Sequence, residues 1–180
     1  MKKLLLVPAL LFSFLASVSA FAIEGLAVID MRTAVLSTQV STATFKALEE
    51  DSEYAGNVEQ AQLLQADRQA IAEKLQKDGE TLSQAEIAQM QKDLQVKTKD
   101  LEFIAGKIQA KQNDTAERVF NDQYPAFQKI LQELMDAKEI KLLFGKDQIL
   151  VADAALDLTD DVTSMLDVAA AAAANGADKK

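Results

Sequence analysis

The side chains here with a capacity for chemistry are almost all carboxylates and amines: 28 Asp and Glu against 19 Lys and Arg, with no Cys and no His. Without thiol or imidazole there are no disulfides, thiolate nucleophiles or imidazole bases, and nearly every zinc donor set is excluded. A carboxylate dyad or a Ser–Lys pair would be the remaining catalytic option, and no spacing in the chain singles one out. No glycine loop of the P-loop or dinucleotide type occurs, so nucleotide-driven action has no support. The densest carboxylate run, Glu49-Glu50-Asp51-Glu53, lacks the spaced ligands and turn glycine of a calcium loop and reads as a solvated helix face. Asp153, Asp157, Asp160 and Asp161 raise the same metal question. The last two are explained more simply by the positive end of a helix dipole. The expectation is a protein that is not an enzyme and carries no cofactor and no metal.

Charge and address narrow the partners. Residues 1–22, MKKLLLVPALLFSFLASVSAFA, join two lysines to an apolar run and small residues, the pattern of a cleavable signal peptide. Cleavage fits after Ala20 or, preferably, Ala22. The apolar run is about fifteen residues and is interrupted by Pro8 and serines, short of the roughly 20 that a spanning helix needs. The expectation is export and release as a soluble protein. Removing Lys2 and Lys3 takes the formal charge from -9 to about -11. Such acidity argues against nucleic acid and against anionic membrane or lipopolysaccharide surfaces as general partners.

These side chains need elements to hold them. Gly25–Asp30 reads as a short buried strand, Met31 to about Leu36 as a short helix, and Ser37–Thr42 as a break. From about Thr44 to Lys77 the composition favours continuous helix, weakest at Gly56. Lys77–Thr81 is a turn, and Ser83 with Glu86 forms a capping box that starts a second helix, running to about Lys138 with a kink at Pro125. A 34-residue helix is about 50 Å long, so the pair must project as an antiparallel hairpin arm. Its heptad seam is thin, with Arg68, Lys97 and Lys111 at positions that should be apolar. Ile140–Phe144 reads as a strand, Gly145–Gln148 as a hairpin loop and Ile149–Ala152 as a returning strand. Thr159 caps a last helix with Val162, Met165 and Leu166 on its apolar face. The tail, 169–180, reads as loosely ordered.

The domain reading is thus a signal peptide (1–22), a first part of a body (23–43), a hairpin arm (44–138), a second part of the body (139–168) and a disordered tail (169–180). The fold class is mainly α with a small β body.

This order of elements resembles the Skp/OmpH family of periplasmic chaperones over nearly the whole mature chain. Its most specific pieces are Leu26-Ala27-Val28-Ile29-Asp30-Met31, Glu139-Ile140-Lys141-Leu142-Leu143 and Asp157-Leu158-Thr159-Asp160-Asp161-Val162. The resemblance implies a homotrimer whose short strands build a shared trimerisation body. Three arms hang from it around a cavity that holds unfolded outer-membrane β-barrel proteins without ATP. Members of that family are commonly basic, whereas this chain is acidic.

Two residue sets follow. Trimer-body candidates are Val28, Ile29, Leu142, Leu143, Phe144, Leu150 and Val151. Client-contact candidates are Ile71, Leu75, Leu82, Ile87, Met90 and Leu94, although their spacing equally suits helix-to-helix packing. Given the acidity, capture of clients is expected to rest mainly on apolar and backbone contacts. The competing class is a periplasmic coiled-coil structural or adaptor protein.

Overall fold

The computed structural model describes residues 25–177; the expected signal peptide lies outside them. Strand β1 (Leu26–Ile29) turns at Asp30 into helix α1 (Met31–Leu36), and the Asp30 carboxylate caps that helix by accepting from the Thr33 amide at 2.8 Å. Thr38 caps α2 (Gln39–Glu49), and Asp51 caps α3 (Ser52–Asp78) by accepting from the Tyr54 amide. Helix α4 (Gln84–Ala137) opens on the predicted capping box: Glu86 N–H donates to Ser83 Oγ, and Ser83 N–H donates back to Glu86 Oε2 at 2.8 Å. Strand β2 (Leu142–Gly145), two 3-10 turns and α5 (Thr159–Ala177) complete the chain.

The two strands are parallel, with Leu26 opposite Leu142 and Ile29 opposite Gly145. A parallel pair cannot be closed by a tight turn and needs a long crossover; here the hairpin arm itself is the crossover. Its 54-residue α4 is about 80 Å long at 1.5 Å per residue, against about 40 Å for the 27 residues of α3. The C-terminal half of α4 therefore extends past the start of α3 into the base. There Val119, Phe127, Ile130 and Leu134 bury themselves against Ala34, Val35, Ile29, Leu158, Val162 and Leu166. This is the core. α3 contributes no fully buried residue.

Four expectations are corrected. The first arm helix is not continuous from Thr44: helix begins at Gln39, and the chain breaks at Glu50–Asp51, where Asp51 competes for the backbone as an N-cap. The carboxylate run there is thus a helix junction as well as a solvated face. Ile149–Ala152 forms no returning strand. Lys146–Gln148 is a 3-10 turn in place of a hairpin loop, and the chain after it carries Asp157 and Leu158 to the second edge of β1, where Leu158 N–H donates to Val28 O at 2.9 Å. Thr159 is the first residue of α5 rather than its cap. Finally, the tail is helical through Ala177, as an alanine run with the highest helix propensity allows. The second arm helix runs through Pro125 to Ala137, close to the expected end.

Candidate interaction surfaces

Ile71 and Leu75 on α3 and Ile87, Met90 and Leu94 on α4 are half-buried, and Leu82 is half-buried in the turn between the helices. Half-burial is what helix-to-helix packing gives, and it leaves part of each side chain open to a partner. Lys97 also lies in this seam, and its Nζ meets Asp67 Oδ2 at 2.5 Å across the hairpin. A lysine at a position meant for an apolar side chain is thereby tolerated, at the cost of weak cohesion, because partly exposed ion pairs contribute little. Closer to the base, Gln112 donates to Tyr54 Oη at 2.7 Å. The large apolar side chains that are exposed on the arm are different ones: Leu63, Val96 and Phe103. Heptad reasoning looks for the seam and passes over what lies opposite it; plotting α4 on a helical wheel would have found Val96 and Phe103.

The trimer-body candidates divide into two groups. Val28 and Ile29 are buried within the chain, and Leu143 is half-buried against the core. Leu142 and Phe144 alternate with it on the exposed side of β2, and Leu150 and Val151 stand almost wholly in solvent. The sheet has the order β1-β2, so among the described residues the outer edge of β2 carries no partner strand. An open strand edge carrying exposed Leu142 and Phe144 is a template for pairing with another chain, and Leu150 and Val151 add exposed apolar surface in the segment that follows.

The base is fastened by a polar network that sequence reading assigned only in part. Lys146 Nζ meets Asp157 Oδ2 at 2.6 Å. Asp157 Oδ1 accepts from Thr159 Oγ1 at 2.6 Å and from its amide at 3.0 Å, and Thr159 Oγ1 accepts in turn from the Asp30 amide. The Lys146 ammonium and the Thr159 hydroxyl hold the Asp157 carboxyl down at about 2. Hydrogen bonds from Thr33 lower Asp30 as well. A second knot is centred on Thr38, fully buried, whose hydroxyl donates to Val35 O and accepts from the Ser41 amide and Gln123 Nε2. Among the described residues no three carboxylates gather as metal ligands would, and no helix is long and apolar enough to cross a membrane. Hydrogen bonding around Asp157 orders the base, and Lys146 and Asp157 also line a cavity of about 220 Å³ with Val28 and the segment 149–154.

A long two-helix arm stands on a small mixed base with an unpaired strand edge and exposed apolar side chains, an architecture suited to contact with other chains. The chain is 29% identical over 147 residues to the chaperone protein Skp of Photorhabdus laumondii, covering 82% of each. It is likewise 29% identical over 169 residues to the chaperone protein Skp of Pectobacterium atrosepticum, covering 90% of this chain and 97% of that one. A Caulobacter crescentus structure described as OmpH-like shares 21% identity, with a TM-score of 0.47, over 82% of this chain and 86% of its own. No family model matches. The resemblance to the Skp/OmpH family therefore stands on sequence across nearly the whole chain.

Proposed function

We propose that this protein is a periplasmic, ATP-independent holding chaperone for unfolded outer-membrane β-barrel proteins, acting as a homotrimer with its arms around the client. The observation that carries the reading is the open outer edge of β2 beside Leu142 and Phe144, with Leu150 and Val151 also exposed, on a base too small to stand well alone. Assembly through that edge would hold several arms together. Each arm has a thin seam and exposed apolar side chains, so individual contacts are weak. Joined arms raise the effective concentration of contacts, and a client is held firmly while each contact exchanges. The likeness to chaperones named Skp supports the same reading.

The test is dilution of a urea-unfolded barrel protein into buffer with and without the mature protein, with no nucleotide present, followed by light scattering. Suppressed aggregation at a ratio of three chains per client is the expected result. Unchanged aggregation would favour the coiled-coil adaptor reading instead.

A further inference from the structure

We propose that the outward face of α4 between Ala85 and Ala110 is a docking strip for acidic, aromatic-bearing segments of unfolded polypeptide. This assignment rests on the holding role proposed above and gives it a location. Steps of three and four residues lead from Ala85 through Gln89, Lys92, Val96, Lys99, Phe103 and Lys107 to Ala110, which is one face of a helix with 3.6 residues per turn. Every one of these side chains is exposed, and the face lies opposite the seam formed by Leu94, Leu101, Ile104 and Ile108.

Charge on this face runs against the rest of the molecule. The formal net charge is -9, yet the strip carries three lysines and no acid. The acids of the same stretch, Glu86, Asp93, Asp100 and Glu102, fall on its flanks. Among the described residues Lys92, Lys99 and Lys107 take part in no ion pair, whereas Lys97, on the seam side, is paired with Asp67. Val96 and Phe103 sit between these free ammonium groups at 49% and 65% exposure. Lys107 Nζ lies 5.0 Å from the Phe103 ring centroid, so cation and aromatic face are presented together.

That alternation selects its occupant. Carboxylates of a partner would meet the lysines, while its aromatic and aliphatic side chains would cover Val96 and Phe103. These two residues are about 10 Å apart along the helix, the length of about three residues of extended chain. A membrane surface fits less well, because a helix lying in an interface carries a continuous apolar stripe, and here two large apolar side chains stand alone. The strip also revises the expectation from net charge: attraction is local, and overall acidity conceals it.

Two variants test the strip, Lys92→Gln/Lys99→Gln/Lys107→Gln and Phe103→Ser, each checked for helicity by circular dichroism; the sites are exposed, so folding is expected to survive. The probes are a labelled unstructured peptide rich in Asp and Phe, a second peptide with Lys in place of each Asp, and phosphatidylglycerol vesicles. The unmodified protein is expected to prefer the acidic peptide and to lose that preference as salt rises. The triple variant should bind the acidic peptide about tenfold more weakly, and Phe103→Ser should weaken both peptides. Equal affinity of the unmodified protein and the triple variant for the acidic peptide overturns the strip. So does a triple variant that loses only vesicle binding, which would assign the lysines to a lipid surface. The holding role fails separately: it falls if the unmodified protein leaves barrel aggregation unchanged, and it survives if aggregation is suppressed with no dependence on these lysines.

Discussion

Glu139 shows how one residue can carry strain for the sake of a direction change. It has φ 53, in the left-handed region that L side chains disfavour, and it is the only such non-glycine among the described residues. Its position is the first one beyond the cap of α4, where Ile140 N–H donates to Met135 O at 2.9 Å and closes a Schellman motif. Glycine is the residue ordinarily found there. Glu139→Gly should therefore raise stability by about 0.5–1 kcal/mol, read from urea unfolding; a loss would mean that the Glu139 side chain makes a contact outweighing the strain. Asp157 makes the opposite kind of contribution. Its carboxyl is held at about 2 against an ordinary 3.8, first by Lys146 and then by Thr159. A depressed carboxylate stabilises the fold above its unfolded value, and that stability disappears as pH falls from about 4 toward 2. Lys146 is half-exposed, so screening leaves on the order of 1 kcal/mol at neutral pH. Asp157→Asn should lower Tm by about 2–4 °C at pH 7 and flatten the acid limb of a Tm-against-pH curve. Parallel curves for the two proteins would show that the clamp is not what holds the base.

At the scale of elements, legibility in the sequence followed the locality of the cause. The capping box at Ser83, the turn before it and the short helix Met31–Leu36 depend on residues within one or two turns, and the structure has them where the spacing puts them. The absent returning strand reflects a long-range pairing that composition does not display: the chain leaves β2 by a 3-10 turn and delivers Asp157 and Leu158 to Val28, far earlier in the sequence. The break at Asp51 was readable, since Asp-Ser-Glu is a helix start, but a charge run in helix-favouring composition obscured it. The arm candidates were legible as a stripe and ambiguous as to which partner they face. That ambiguity was physical, because a seam and a binding face have the same period. The seam's weakness gives the next expected outcome. Interruptions at Arg68, Lys97 and Lys111 and the lack of any buried residue in α3 leave the arm poorly cross-linked. Amides near Asp78–Leu82 should exchange fastest and those of Val119–Leu134 slowest, measured by hydrogen–deuterium exchange. Uniform protection along α3 and the base would contradict a seam this thin.

At the scale of the whole molecule, the exposed apolar side chains decide between a lone chain and an assembly. A short base with a long arm has an unfavourable ratio of core to surface. The described base also leaves Leu142, Phe144, Leu150 and Val151 in water and one edge of β2 unpaired. Burying four such side chains against copies of the same chain would contribute several kcal/mol per chain, at about 1.5–3 kcal/mol for each one fully covered. Closed symmetry is the ordinary way in which identical edges satisfy one another. Leu143 and Leu150 separate the two roles of the base. Leu143 is half-buried against the chain's own core, so Leu143→Asp should unfold the base itself, with loss of cooperative melting. Leu150 and Val151 touch almost nothing within the chain, so Leu150→Asp/Val151→Asp has little to disrupt in an isolated copy. In an assembly the same change would place two carboxylates in an apolar interface. Light scattering of the mature protein is expected to give three times the mass of one chain. The double variant should keep its helical circular dichroism, fall to the mass of one chain and melt at a Tm independent of protein concentration, whereas the Tm of the unmodified assembly should rise with concentration. A well-folded single chain in the unmodified protein, or a double variant that remains assembled, would remove this edge from the account and leave Leu150 and Val151 as side chains for some other partner.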